Sequence, residues 1–203
     1  MNLKRYQNLF LFKERSVAEH SWSVAKIAHS LALVEKQKYG IEVDIAFLLQ
    51  KAIFHDSIEV YTGDILSMSK RRTPSMKKAV ATLEKRVYEE EFSSILPNDW
   101  KEEFRYFTLD AKDDTIEGKL LHASDVIDTL FEAVEEIKLG NKEYFLDVLQ
   151  NSLQKLLDNP LNSVQDFLLH FIEYLESIKF NLKEHYGEEF YQTIEHWKIS
   201  KVA

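Results

Sequence analysis

The stretch Asp44-Ile45-Ala46-Phe47-Leu48-Leu49-Gln50-Lys51-Ala52-Ile53-Phe54-His55-Asp56-Ser57-Ile58-Glu59 decides the fold. Asp44 is placed to cap a helix whose Ile45, Phe47, Leu48, Leu49, Ala52, Ile53 and Phe54 are apolar on most sides. Such a helix belongs in the buried centre and is expected to run until Thr62-Gly63-Asp64. It ends in an imidazole and two carboxylates. Glu59 follows His55 by four residues and Asp56 by three, so on a helix it shares a face with both. Unpaired interior charges are expensive, and a bound cation is the simplest compensation.

The flanks read as helices too. Ser16-Val17-Ala18-Glu19 is a capping box, and Val17, Val24, Ile27, Ala28, Leu31 and Val34 recur at helical spacing until Gly40. Thr73-Pro74 starts a third helix that runs to about Ile95, its Glu- and Lys-rich face in solvent. A shorter one spans about Asp99 to Phe107, and a long one runs from about Asp114 to Leu139, closed by Gly140. Two more are divided at Asn159-Pro160, and the region from Phe167 to Ile178 has more apolar residues than one stripe requires, as central core or as a subunit contact. Nothing reads as a strand, and five Gly and three Pro in 203 residues leave few turns for an all-β design. The expectation is one all-α domain over residues 1–203, a bundle of six to eight helices. The site belongs to about 3–140, and helices of about 141–198 complete the core or form a dimer interface.

Composition narrows the chemistry. With 45% hydrophobic and 30% charged residues the chain is globular, and without cysteine it has no disulfides, thiolate ligands or thiol nucleophile. Any metal here takes N and O ligands. A net charge of −8 suits no nucleic-acid duplex. No run of eighteen apolar residues crosses a membrane, and the apolar run Leu9-Phe10-Leu11-Phe12 is too short for a signal-peptide core, so a cytoplasmic protein is expected.

A His-Asp pair alone decides little, since about 0.4 are expected by chance at this composition. His20, in the first turn of the first long helix, reads by itself as a half-exposed helix-start residue, and Asp125 as an Asp on the polar stripe of its helix. Together, His20, His55, Asp56 and Asp125 make two imidazoles and two carboxylates, a set suited to one divalent ion: Mn, Co, Fe, Zn or Mg. His29, nine residues from His20, is half a turn out of phase; His170, His185 and His196 have no partner pattern. His122 shares a face with Asp125.

The order His20, His55-Asp56, Asp125 resembles the HD-domain metal-dependent phosphohydrolases. Arg5-Tyr6, Val17-Ala18-Glu19-His20-Ser21, His55-Asp56-Ser57-Ile58-Glu59-Val60-Tyr61-Thr62-Gly63-Asp64 and Ala123-Ser124-Asp125 resemble, more narrowly, the bacterial YfbR-like 5′-deoxynucleotidases. The resemblance implies an HD-domain bundle and a homodimer. It also implies a phosphomonoesterase that converts (deoxy)ribonucleoside 5′-monophosphates to nucleoside and phosphate. It places Arg5, Tyr6, Asp64, Ser67 and Lys70 at the substrate. From its place beside Asp125, His122 is expected either to touch substrate phosphate or only to support the site, and Glu59, from its place beside His55 and Asp56, is expected to handle the proton. Arg5 suits bidentate contact with phosphate oxygens, and Asp64 suits a sugar hydroxyl. Two features depart from the family: Tyr6 stands where Trp is usual, and Ile65-Leu66-Ser67-Met68-Ser69-Lys70 replaces a Pro-containing loop. One rival is a guanosine tetraphosphate hydrolase, although those proteins show Glu-Asp where this chain has Glu59-Val60. The other is a helical interaction module with a structural metal site.

Overall fold

The structure, a computed structural model, describes residues 3–7, 9–65, 69–70 and 72–202. Helix α1 (Val17–Tyr39) begins at the expected capping box: Ser16 Oγ accepts the Glu19 N–H at 3.2 Å, and Glu19 Oε2 accepts the Ser16 N–H at 2.7 Å. It stops at Gly40, whose φ of 69° is left-handed. Ahead of α1 the chain doubles back, with the Arg5 N–H donating to the Arg15 carbonyl at 2.9 Å and the Val17 N–H to that of Leu3 at 2.8 Å. Lys4 and Ser16 form an isolated antiparallel bridge there, and this hairpin carries Arg5 and Tyr6 back to the helix start.

Asp44 caps α2 (Ile45–Phe54) through the Phe47 N–H at 3.0 Å. The helix expected to continue to Thr62 instead breaks at His55 and resumes as the short α3 (Glu59–Thr62). His55 Nδ1 bonds the Ala52 carbonyl at 2.9 Å, the acceptor that the Asp56 N–H would use in a continuing helix. Tighter turns follow, with Ser57 N–H to Phe54 at 2.9 Å and Glu59 N–H to Asp56 at 3.0 Å.

Helix α4 (Pro74–Val87) carries Pro at its first position and only one buried residue, Val80, as a solvated helix should. It passes through a π turn at Tyr88–Phe92 and a 3₁₀ turn at Ser93–Ile95 into α5 (Lys101–Leu109). The most enclosed helix is α6 (Ile116–Leu139), not α2. Its 24 residues lie under α1, α2 and the following helix, whereas α2 has ten residues and leaves Ile53 52% exposed.

Three helices follow Gly140, not two: α7 (Lys142–Leu157), α8 (Asn162–Ser177) and α9 (Leu182–Val202). Lys179 turns left-handed at φ 58°, and Asn181 Oδ1 accepts the Glu184 N–H at 3.1 Å to start α9, which kinks at Gly187. Phe145, Leu149 and Leu153 of α7, Leu168, Ile172 and Leu175 of α8, and Ile194 of α9 share one apolar cluster with α1, α2 and α6. The inner face of α8 is therefore core, while Phe131 of α6 and Tyr174 of α8 stay 40% and 39% exposed on its outer side.

Candidate active site

Four elements meet at one point. His20 lies in the first turn of α1, His55 caps the end of α2, Asp56 follows it in the tight turn, and Asp125 sits mid-way along α6. One ligand atom each from His20, His55 and Asp56 fall within 4.8 Å of one another. His20 Nε2 lies 3.3 Å from Asp56 Oδ2 and 3.2 Å from Asp125 Oδ1, and His55 Nε2 lies 3.1 Å from Asp56 Oδ2.

The outer nitrogens fix the tautomers. His20 Nδ1 is 2.6 Å from Asp128 Oδ2; despite burial, hydrogen bonding from His20 and the charges of His20 and Arg15 bring the Asp128 carboxyl down to about 2. An ionised carboxylate only accepts, so Nδ1 carries the hydrogen. His55 Nδ1 likewise donates to the Ala52 carbonyl. In each neutral ring Nε2 is then a bare lone pair facing carboxylate oxygen. Both Nε2 atoms are buried without a hydrogen bond.

Lone pair against anion is repulsive unless something positive stands between. Without a cation a proton takes that place: burial and the Arg5 guanidinium oppose it, but Asp125, Asp128 and Asp56 outweigh them and push His20 up to about 10. Burial also works against ionising Asp56 and Asp125, yet Lys112 and the imidazoles hold both well below the carboxylate range. Two imidazole nitrogens and the Asp56 carboxylate converge, with Asp125 Oδ1 beside His20, and donors of these types suit a divalent cation with neutral imidazoles as ligands.

Above this floor opens a cavity of about 220 Å³, lined among others by Arg5, Tyr6, Glu59, Asp64, Lys70 and His122. The expected substrate residues therefore converge, except Ser67, which lies outside the described residues along with Leu66 and Met68 of the same loop. Arg5 Nη1 is held at 2.5 Å by Glu132 and 3.5 Å from Asp128. Tyr6 is left-handed at φ 52°, and its N–H donates to Asp64 Oδ2 at 2.7 Å. Lys70 Nζ stands 3.5 Å from Glu59 and 3.1 Å from Glu84. Burial pushes the Glu59 carboxyl up, joined by the negative charges of Asp56 and Asp64 and opposed by Lys70 and Arg5, to about 8.

Sequence reasoning missed Asp128, Glu132, Arg15 and Lys112. The first two were readable, since Asp128 and Glu132 follow Asp125 by three and seven residues and so lie on one face of α6. Arg15 and Lys112 come from loops distant in sequence and carry no local signal.

The sequence model of the family described as 5′-deoxynucleotidase YfbR-like matches residues 1–175. A 5′-deoxynucleotidase of Vibrio vulnificus is 31% identical over 144 residues, 71% of this chain and 74% of that protein. A 5′-deoxynucleotidase of Shewanella oneidensis is 28% identical over 188 residues, 90% of this chain and 91% of its own. Among solved structures, an HD-domain phosphohydrolase from Listeria innocua superposes with a TM-score of 0.75 at 28% identity, covering 98% of this chain and 92% of that one. A cyanophage S-2L HD phosphohydrolase, bound to dA and one catalytic Zn²⁺, shares the fold with a TM-score of 0.58 at 19% identity, covering 88% and 92%. The chain, an all-α HD-domain phosphohydrolase, belongs to the YfbR-like 5′-deoxynucleotidase family.

Proposed function

We propose that the protein hydrolyses nucleoside 5′-monophosphates, the deoxy forms most readily, with one divalent ion held by His20, His55, Asp56 and Asp125. The observation that carries this reading is the pair of buried, bare Nε2 atoms facing carboxylates on the floor of a cavity rimmed by Arg5 and Lys70. When bound, a divalent cation (Mn, Co, Fe, Zn or Mg) supplies a Lewis acid for a phosphoryl oxygen and a water of lowered pKa.

The chain's own groups do the rest. Water oxygen bonds to phosphorus as the P–O5′ bond breaks, and the proton that water gives up ends on the departing O5′. Glu59, buried at the pocket edge, is the group that moves it. Arg5, steadied by Glu132, turns its remaining N–H groups to the phosphate oxygens, and Lys70 and His122 line the same cavity. Asp64 spends Oδ2 on the Tyr6 N–H, which leaves Oδ1 for a sugar hydroxyl.

The chain is read as one HD domain working in the cytoplasm, where charged nucleotides are retained, and as a homodimer. The groove along α8, lined by Phe131, Val134, Phe167, Phe171 and Tyr174, is the surface that supports a dimer contact. Light scattering tests it, and a monomer at micromolar concentration refutes it. Among the described residues no helix is long and apolar enough to cross a membrane.

The test of activity is a panel of phosphate esters offered to chelator-stripped protein with each metal returned in turn. Metal-dependent phosphate release from nucleoside 5′-monophosphates is expected. Turnover of guanosine tetraphosphate instead would favour that hydrolase, and no turnover at all would leave a structural metal site in a helical interaction module.

A further inference from the structure

Outside the residues used above lies a buried cage with no part in the chemistry. Lys51 of α2 is fully buried, and its ammonium donates to both oxygens of Asp113 at 2.9 Å and to Thr115 Oγ1 at 3.0 Å. The Phe47 and Tyr106 rings cover it, each with its centroid 4.9 Å away. Tyr106 also hydrogen-bonds Asp113 through its hydroxyl, and Thr115 Oγ1 caps α6 through the Gly118 N–H at 3.0 Å. Gly118 lets this loop lie flat on α6, since a Cβ there would collide with the Asp113 side chain and backbone.

The cage pins the loop of residues 110–115 from α2, α5 and α6 at once. The residue next to its anchor is Lys112, whose side chain leaves the loop toward the catalytic cavity and forms part of its wall. Lys112 Nζ donates to Asp125 Oδ2 at 2.6 Å, while the other oxygen of that carboxylate faces His20. An ammonium has three N–H donors, and among the described residues Asp125 is the hydrogen-bond partner of one. The side chain is 34% exposed and lines the cavity. Arg5 and Lys70 each lie against two carboxylates, and Lys112, despite burial, is held charged by Asp125, Asp56 and Glu59.

We propose that Lys112, presented by the caged 110–115 loop, is a further substrate-binding residue that donates to the phosphate of the nucleotide in the cavity it shares with Arg5. This rests on the phosphomonoesterase reading above. A charge-assisted hydrogen bond to a dianion is worth about a tenfold change in binding or more.

The test compares native protein, Lys112→Met, Lys112→Arg and, as a lysine on the exposed side of α6, Lys119→Met. In each, KM for a deoxynucleoside 5′-monophosphate, the inhibition constant of inorganic phosphate, and bound metal by elemental analysis are measured. Lys112→Met is expected to raise KM and the phosphate constant about tenfold, with metal content unchanged, Lys112→Arg recovering most of the loss and Lys119→Met matching native protein. Unchanged constants in Lys112→Met overturn the proposal. So does loss of metal with phosphate affinity intact, which would make Lys112 only a tether for Asp125. If native protein cleaves no nucleotide, the reading of function fails by itself, and calorimetric titration of inorganic phosphate into the metal-loaded native and Lys112→Met proteins still decides the role of Lys112.

Discussion

His20 Nδ1 lies 2.6 Å from Asp128 Oδ2, while the opposite nitrogen of the same ring lies 3.2 Å from Asp125 Oδ1. One imidazole from α1 is thus clamped between two carboxylates one turn apart on α6. The two are not equivalent. Asp128 is almost wholly enclosed and fastened by Arg15, whose Nη1 and Nη2 reach it at 3.1 and 3.2 Å, so it fixes which ring nitrogen carries hydrogen. Asp125 faces the cavity and shares the bare lone pair's target.

Asp128→Asn keeps the shape and removes the charge that sets the His20 tautomer. Metal affinity is expected to fall roughly 10- to 100-fold, the usual cost of losing a partner behind a ligating histidine. Chelator competition measures it. Unchanged affinity would confine Asp128 to holding Arg15 and Arg5 in place.

How far this site could be read in the sequence depends on where each residue's signal lies. Helix starts at Ser16, Asp44 and Thr73 are local chemistry, a side-chain oxygen and an orphan N–H, and each appears where expected. His20, His55, Asp56 and Asp125 were legible as a candidate donor set; the fold gathers His20, His55 and Asp56 within 4.8 Å and sets Asp125 Oδ1 3.2 Å from His20 Nε2. The break after Phe54 was not, because it turns on His55 Nδ1 taking the Ala52 carbonyl, a competition periodicity cannot display. The start of α9 was legible in principle as Asn181-Leu182-Lys183-Glu184, a capping pattern hidden behind the apolar run of α8. Lys112 meets Asp125 across 13 residues through a loop whose anchor, Lys51, sits in another helix.

Asp125→Ala removes a carboxylate whose Oδ1 stands 3.2 Å from His20 Nε2 and is proposed as the fourth ligand. Bound metal and activity should both be lost, read by elemental analysis and phosphate release. In native protein, stripping the metal leaves the like charges of Asp56 and Asp125 with one proton on His20 in place of a dication, so the melting temperature should fall and recover when a divalent ion returns. Full metal content in Asp125→Ala would remove it from the ligand set.

Glu59→Gln separates proton transfer from metal binding. With metal retained, kcat is expected to drop about two to four decades, the range of a lost general acid or base. The metal-free protein offers an independent reading. Its Glu59 carboxyl stands at about 8 against an ordinary 4.5, so between those pH values the folded state keeps a proton that the unfolded chain releases, and stability falls as pH rises across that window. Gln carries no such penalty. Metal-free Glu59→Gln should therefore melt above metal-free native protein at pH 8.5, the gap closing toward pH 4.5; an equal gap at both ends would mean that charge at Glu59 is not the cause.

Tyr6 concerns the choice of sugar. Its ring meets Phe145 edge-on at 5.6 Å and Tyr144 at 6.5 Å, the Arg5 guanidinium carbon lies 5.0 Å from its centroid, and its backbone N–H holds the Asp64 carboxylate proposed to take a sugar hydroxyl. Burial pushes the phenol's pKa up, with Arg5 opposing, so the hydroxyl stays a neutral donor at working pH. A ring of this size with a polar tip crowds a ribose 2′-hydroxyl less than indole would, and the phenol can donate to it. Because Phe145 and Tyr144 back the ring, the extra bulk of Tyr6→Trp has the cavity as its outlet. The ratio of kcat/KM for deoxy over ribo substrates should rise in Tyr6→Trp, each tenfold being about 1.4 kcal/mol of differential transition-state binding. An unchanged ratio, with Arg5→Ala still abolishing turnover, would move sugar selectivity from Tyr6 to the loop of residues 65–70.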